Sequence, residues 1–149
     1  MLYNRKINMR EITMRKAEQL ILFVCVHNSG RSQMAEAFFN RMARGRAIAR
    51  SAGTSPGDRV NPTVVQAMAE MGIDLSRNRP QPLTQAMLDR AERVFTMGCN
   101  VEEACPANMV VTEDWALEDP KDKPLETVRE IRDEVKRRVE ALLQELGAV

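Results

Sequence analysis

An apolar run, Leu20 to Val26, ends in Cys25-Val-His-Asn-Ser-Gly-Arg31 and passes at once into an amphipathic stretch. A strand buried on both faces reads as such a run. A strand joined to a helix by a short loop opens a βαβ unit, which commits the chain to a parallel sheet. The loop also carries chemistry. Its backbone N–H groups can curl toward one spot, and the helix N-terminus adds its positive end. Arg31 offers a planar fork that grips two oxygens of a tetrahedral anion. The same positive field favours a thiolate at Cys25 over a thiol. Val26, His27, Asn28, Ser29, Gly30, Arg31 and Ser32 are the expected oxyanion cradle, and Cys25 is the expected nucleophile.

Cys-x5-Arg alone occurs by chance, and a thiol at a strand end can be inert. The neighbouring residues favour a built site. Gly30 permits a turn closed to most residues. Asn28 tolerates left-handed backbone and can tie the loop with its side chain. Ser32 can cap the helix and hydrogen-bond the sulfur.

Strands and helices alternate after a polar, basic extension at residues 1–18. Strands are expected at Gln19–Val26, Arg46–Ser51, Arg93–Met97 and Met109–Thr112. Ser32–Arg44 carries a stripe of Met34, Ala35, Phe38, Phe39 and Met42 at helical spacing. Asn61 caps a helix with Pro62 at its first position, running to Met71 before Gly72. Leu83–Ala91 is helical, and Leu125–Leu146 repeats apolar residues every three or four positions before Gly147 stops it. The fold class is α/β, with one domain over residues 19–149: a four-stranded parallel sheet flanked by helices on both faces. Ligands of such sheets lie beyond the carboxyl ends of the strands. Cys25, Gly98-Cys99 and the acidic loop Glu113–Pro124 all fall at that rim.

Composition narrows the partners. With 149 residues, 29% charged residues and a formal net charge of +1, the chain has no field to attract nucleic acid or an anionic membrane. Leu20–Val26 is too short to span a bilayer, and no leader pattern is present. Three cysteines suit a reducing compartment, so the cytoplasm is expected.

Cys99 and Cys105 flank a polar stretch. Their spacing, taken with Cys25 and His27, matches no common zinc pattern, and no metal or other cofactor is expected. In a helix, residues six apart lie about 9 Å apart along the axis. A disulfide needs Cα atoms roughly 4.4–6.8 Å apart, so the segment must bend to close. Gly98 and Pro106 allow that, and a redox pair beside a nucleophile is the favoured reading. An oxyanion substrate that expels an oxygen needs a proton donor. Asp119, fixed by Pro120, is preferred over Glu113, Asp114, Glu118 and Asp122. His27, the only histidine, is read as structural.

Phe-Val-Cys25-Val-His-Asn-Ser-Gly-Arg31-Ser-Gln-Met-Ala-Glu, Ser51-Ala-Gly, Asn61-Pro, Gly72-Ile-Asp-Leu-Ser76 and Asp119-Pro120 resemble the low-molecular-weight phosphatase superfamily. The paired cysteines, with Trp115 and Asp119-Pro120 beyond them, resemble its thioredoxin-coupled arsenate reductase branch. The resemblance implies a monomeric enzyme that reduces arsenate, with phosphate or sulfate as analogues and thioredoxin as reductant. Cys25 would be the nucleophile, Arg31 the anion clamp and Asp119 the proton donor. Cys99 would attack the sulfur of the Cys25–arsenic adduct, and Cys105 would then take over the bond to Cys99. Gly30 departs from the further cysteine many relatives carry, and His27 from a common glycine. The cysteine pair is one residue more closely spaced than in the best-known reductases. Asn28, Glu36 and Ser51 match a potassium site of some relatives, but Gln81 stands in place of its further acid, and no such site is assigned. Two rivals remain. A tyrosine phosphatase would use the same nucleophile, clamp and acid, but a phosphotyrosine ring wants aromatic walls, and Lys121-Asp122-Lys123 follow the Asp-Pro. A non-catalytic oxyanion-binding thiol redox sensor is the other.

Overall fold

The computed structural model describes residues 20–98 and 112–148. The N-terminal extension, Cys99, Cys105 and most of the expected fourth strand lie outside the described residues. Four strands form one parallel sheet in the order β2-β1-β3-β4. They are β1 (Leu20–Cys25), β2 (Ile48–Gly53), β3 (Ala91–Thr96) and β4 (Glu113–Asp114). The helices are α1 (Arg31–Ala43), α2 (Pro62–Ala69), α3 (Gln85–Arg90) and α4 (Leu125–Leu146).

β1 is central and buried along its whole length, as its apolar run requires. Side chains alternate between the sheet faces. Ile21, Phe23 and Cys25 share the larger core with Met34, Phe38 and Phe39 of α1, Val64 and Met68 of α2, and Val128, Val135 and Val139 of α4. Leu22 and Val24 face the other way with Val94, under Leu83 and the α3 residues Met87 and Leu88. Phe23 anchors a ring cluster, 5.7 Å from Phe95 and 5.4 Å from Trp115 between centroids. The sheet thus has helices on both faces, and Cys25 ends its central strand.

Helix ends follow local chemistry. Asn61 Oδ1 accepts from Thr63 N at 2.9 Å ahead of Pro62. Arg44 closes α1 and Gly147 closes α4, both in left-handed backbone. Ser32, however, does not cap α1. Gly30 is the N-cap residue, without a side-chain bond, and Ser32 lies inside the first turn, turned to the sulfur. Of the expected fourth strand only Thr112 is described, its amide donating to Val94 O at 2.7 Å, and the described pairing of β4 is Phe95↔Glu113 and Thr96↔Asp114. An edge strand pairs on one side only and needs no apolar run, so Glu113 and Asp114 could not announce it.

Candidate active site

The Cys25–Arg31 loop is turned inside out by its neighbours. Thr54 N donates to Cys25 O at 3.1 Å, Ser55 N to Val26 O at 2.8 Å, Gly57 N to His27 O at 2.9 Å and Asn61 N to Ser29 O at 2.8 Å. Gln33 Nε2 donates to Asn28 O at 3.2 Å. With these carbonyls bonded outward, the peptide planes turn their N–H groups inward. The amide of Asn28 shows the result, donating to Cys25 Sγ at 3.1 Å. His27 contributes its backbone, while its exposed ring donates from Nδ1 to Ser55 O at 3.1 Å, away from the sulfur.

Behind the loop lies a buried polar chain. Ser32 Oγ stands 2.9 Å from Cys25 Sγ and accepts from Asn28 Nδ2 at 2.8 Å. Asn28 Oδ1 accepts from Gln33 Nε2 at 3.1 Å and from Gln81 N at 2.9 Å. Asn28 needs the left-handed conformation, with φ of 52°, which asparagine tolerates better than most residues. Further out, Ser51 Oγ donates to Glu36 Oε2 at 2.7 Å, and Gln81 Nε2 donates to Ser51 O at 2.7 Å. Burial pushes the Glu36 carboxyl up from its ordinary range, opposed by the Ser51 hydroxyl and Arg50. This donor set does not fit a potassium ion. Asn28 Oδ1 and Ser51 O are already taken by N–H donors, where a cation wants free oxygen lone pairs.

Arg31 is buried and joins loop to rim. Its Nη1 donates to Met97 O at 2.6 Å and to Leu117 O at 2.9 Å, and its Nη2 lies 3.7 Å from Asp119 Oδ2. A cleft of about 620 Å³ opens over Cys25, Arg31 and Asp119, with Arg59, Lys121 and Lys123 on its walls. Among the described residues no Phe, Tyr or Trp side chain lines it. The competing acids are otherwise engaged. Asp114 Oδ1 accepts from Thr96 Oγ1 and Gly98 N, Glu118 pairs with Lys123 at 3.5 Å, and Glu113 sits on the edge strand. Asp122 also lines the cleft, but Asp119 is the carboxylate beside the guanidinium.

The sequence model of the low molecular weight phosphotyrosine protein phosphatases matches residues 20–149. The chain belongs to that family. It is 38% identical over 131 residues to the glutaredoxin arsenate reductase of Synechocystis sp., covering 85% of this chain and 98% of that protein. A solved arsenate reductase in a phosphate-binding state superposes with a TM-score of 0.76 at 37% identity, over 85% of this chain and 98% of its own. The thioredoxin-dependent arsenate reductase of Corynebacterium glutamicum superposes with a TM-score of 0.73 at 33% identity, over 91% of this chain and 67% of its own.

Sequence reasoning placed the Cys25–Arg31 loop of this phosphatase-family member between strand and helix but missed what shapes it. Residues 54–61 read as a connecting loop rich in Gly, Ser and Pro, yet their amides orient the cradle. The Gln33 and Gln81 contacts were equally silent, since neither residue type announces a buried role. Gly30 has a further reason to be glycine that the sequence did not announce. An added Cβ would lie 2.7 Å from Pro120 Cγ. Cys99 and Cys105 lie outside the described residues. The strand leading to them ends at the rim, where Met97 O is bonded by Arg31, and the chain leaves through Gly98 at φ of 81°.

Proposed function

We propose that the chain reduces arsenate to arsenite in the cytoplasm, as a monomer. Val26, His27, Asn28, Ser29, Gly30, Arg31 and Ser32 hold the oxyanion, and the Cys25 sulfur attacks arsenic. The expelled oxygen leaves with a proton from Asp119. The Cys99 sulfur then attacks Cys25 sulfur. The sulfur–arsenic bond breaks with its electron pair going to arsenic, so arsenite departs and a Cys25–Cys99 disulfide remains. Cys105 attacks Cys99, frees Cys25 and leaves a Cys99–Cys105 disulfide. Thioredoxin supplies the electrons that reopen it.

One observation carries this reading. Arg31, the anion clamp, bonds Met97 O at 2.6 Å, so the chain that runs on to Cys99 departs from the clamp itself. The arsenate reductases among the relatives support the substrate. Their names divide over the reductant, one glutaredoxin and one thioredoxin, and the paired cysteines favour thioredoxin. A phosphatase reading rests on the same nucleophile, clamp and acid, and on the family's own description. Among the described residues no Phe, Tyr or Trp lines the cleft, which weighs against an aryl phosphate substrate.

Turnover of arsenate with thioredoxin, thioredoxin reductase and NADPH tests the proposal beside glutaredoxin with glutathione and beside an aryl phosphate. Arsenate reduction should need Cys25, Cys99 and Cys105, and thioredoxin should sustain it. Cys105→Ser should stop after one turnover with a Cys25–Cys99 disulfide, visible by peptide mapping. Sustained turnover by Cys105→Ser would remove the relay. Aryl phosphate hydrolysis without arsenate reduction would make the chain a phosphatase, and neither activity would make it a sensor.

A further inference from the structure

The Gly30–Pro120 contact does something the chemistry above leaves unassigned. Pro120 Cγ occupies the place of a Gly30 side chain, with Val64 Cγ2 3.6 Å from the same point. A proline ring is rigid and cannot swing aside as the end of a flexible chain can. The ring is held in turn by its own loop. Pro120 O accepts from Lys123 N at 3.1 Å and from Asn61 Nδ2 at 3.5 Å, and Lys121 N donates to Asp119 Oδ1 at 3.0 Å. Asp119 itself is half-exposed, and its one ion pair among the described residues is the 3.7 Å contact with Arg31. Among the described residues, the Lys121 amide and Arg31 are the polar contacts that hold its side chain.

We propose that Gly30 is a positioning residue: by carrying no side chain, it seats Pro120 on the nucleophile loop and so fixes Asp119 beside Arg31. This rests on the reading of Asp119 as proton donor. A side chain at position 30 pushes the Asp119-Pro120 segment outward as a unit, because the ring cannot yield. The anion still binds, since the cradle amides and Arg31 keep their partners. The proton then arrives from the wrong place, and only reactions that need it suffer.

Hydrolysis of phenyl phosphate and p-nitrophenyl phosphate separates these effects, because phenolate needs the proton far more than nitrophenolate does. Gly30→Ala should lower kcat for phenyl phosphate roughly 10²-fold, the cost of misplacing a reacting group by about 1 Å. It should lower p-nitrophenyl phosphate hydrolysis much less, and inorganic phosphate should still protect Cys25 from iodoacetamide. In an Asp119→Asn background the Gly30→Ala effect should vanish, since both changes remove one function. Pro120→Ala approaches the contact from its other side. It should show the same leaving-group dependence, and adding Gly30→Ala to it should cost little more, which also covers a Gly30→Ala chain that does not fold. Wild-type hydrolysis of phenyl phosphate by both single variants would overturn the proposal. So would equal loss on both substrates with weakened phosphate protection, or losses that persist in Asp119→Asn. An Asp119→Asn chain that does not discriminate between the leaving groups would instead remove the acid assignment itself.

Discussion

Asn28 Nδ2 donates to Ser32 Oγ at 2.8 Å, and that oxygen stands 2.9 Å from Cys25 Sγ, so the Cys25 sulfur is oriented by a fully buried asparagine. Asn28→Ala strands the donor of Gln81 N, removes the Ser32 and Gln33 side-chain partners of Asn28 and asks alanine to hold φ of 52°. Leaving buried polar groups unpaired costs about 1–3 kcal/mol each, so the variant should lose roughly 2–4 kcal/mol in urea unfolding. Wild-type Cys25 should be alkylated before Cys99 and Cys105 at neutral pH and be protected by arsenate or phosphate. Asn28→Ala should weaken that protection. An unchanged urea midpoint would contradict the network's role.

Asp119 and Asp114 should separate cleanly. Asp119→Asn should slow expulsion of the oxygen leaving group by roughly 10²–10⁴-fold with anion binding largely kept. Asp114→Asn should mainly lower the unfolding midpoint, because Asp114 Oδ1 ties Thr96 and Gly98 at the end of β3. Kinetics beside thermal melts of both variants read this. Full activity of Asp119→Asn with loss in Asp114→Asn would exchange the two roles.

Acid should act through Glu70. Hydrogen bonding from Arg129, and secondarily from Arg132, holds its carboxyl at about 2 against an ordinary 4.5. A depressed folded value means that its contribution is complete above 4.5 and lost as pH falls toward about 2. Glu70→Gln should therefore flatten the fall of stability across that window and lie closest to wild type at its acid end. Urea midpoints taken down the pH scale would show a parallel, unflattened curve if the α2–α4 pairing contributed nothing.

Glu36 has the opposite sign. Burial raises its folded value, so the protonated form is favoured in the fold. Its contribution is complete below the ordinary carboxylate value and lost as pH rises through the raised one. Glu36→Gln keeps an acceptor for Ser51 without the buried charge, and should raise the thermal midpoint at neutral pH. A lower midpoint would mean that the Ser51 and Arg50 contacts outweigh the burial.

Much of this molecule was legible because apolar periodicity reports burial directly. Leu20–Cys25 announced a central strand, and the stripe through Val128, Val135 and Val139 gave α4 with the bounds the structure has. Cys25, Arg31 and Asp119, singled out because their residue types can carry the chemistry, line one cleft. What stayed hidden is backbone work. The amides of residues 54–61 orient the cradle, and any residue but proline supplies an amide. The edge strand Glu113–Asp114 escaped because one-sided pairing imposes no pattern. Gly30 was noticed for its turn but not for its close approach to Pro120, since the ring that excludes its side chain comes from the distant acid loop.

Trp115 is the only tryptophan of the chain, buried against Phe23 and Phe95 just ahead of Leu117, whose carbonyl Arg31 holds. The protein therefore carries a single indole, seated where the sheet hands over to the acid loop. Its emission needs no introduced label and has no second indole to dilute it. Spectroscopically, this enzyme watches its own acid loop.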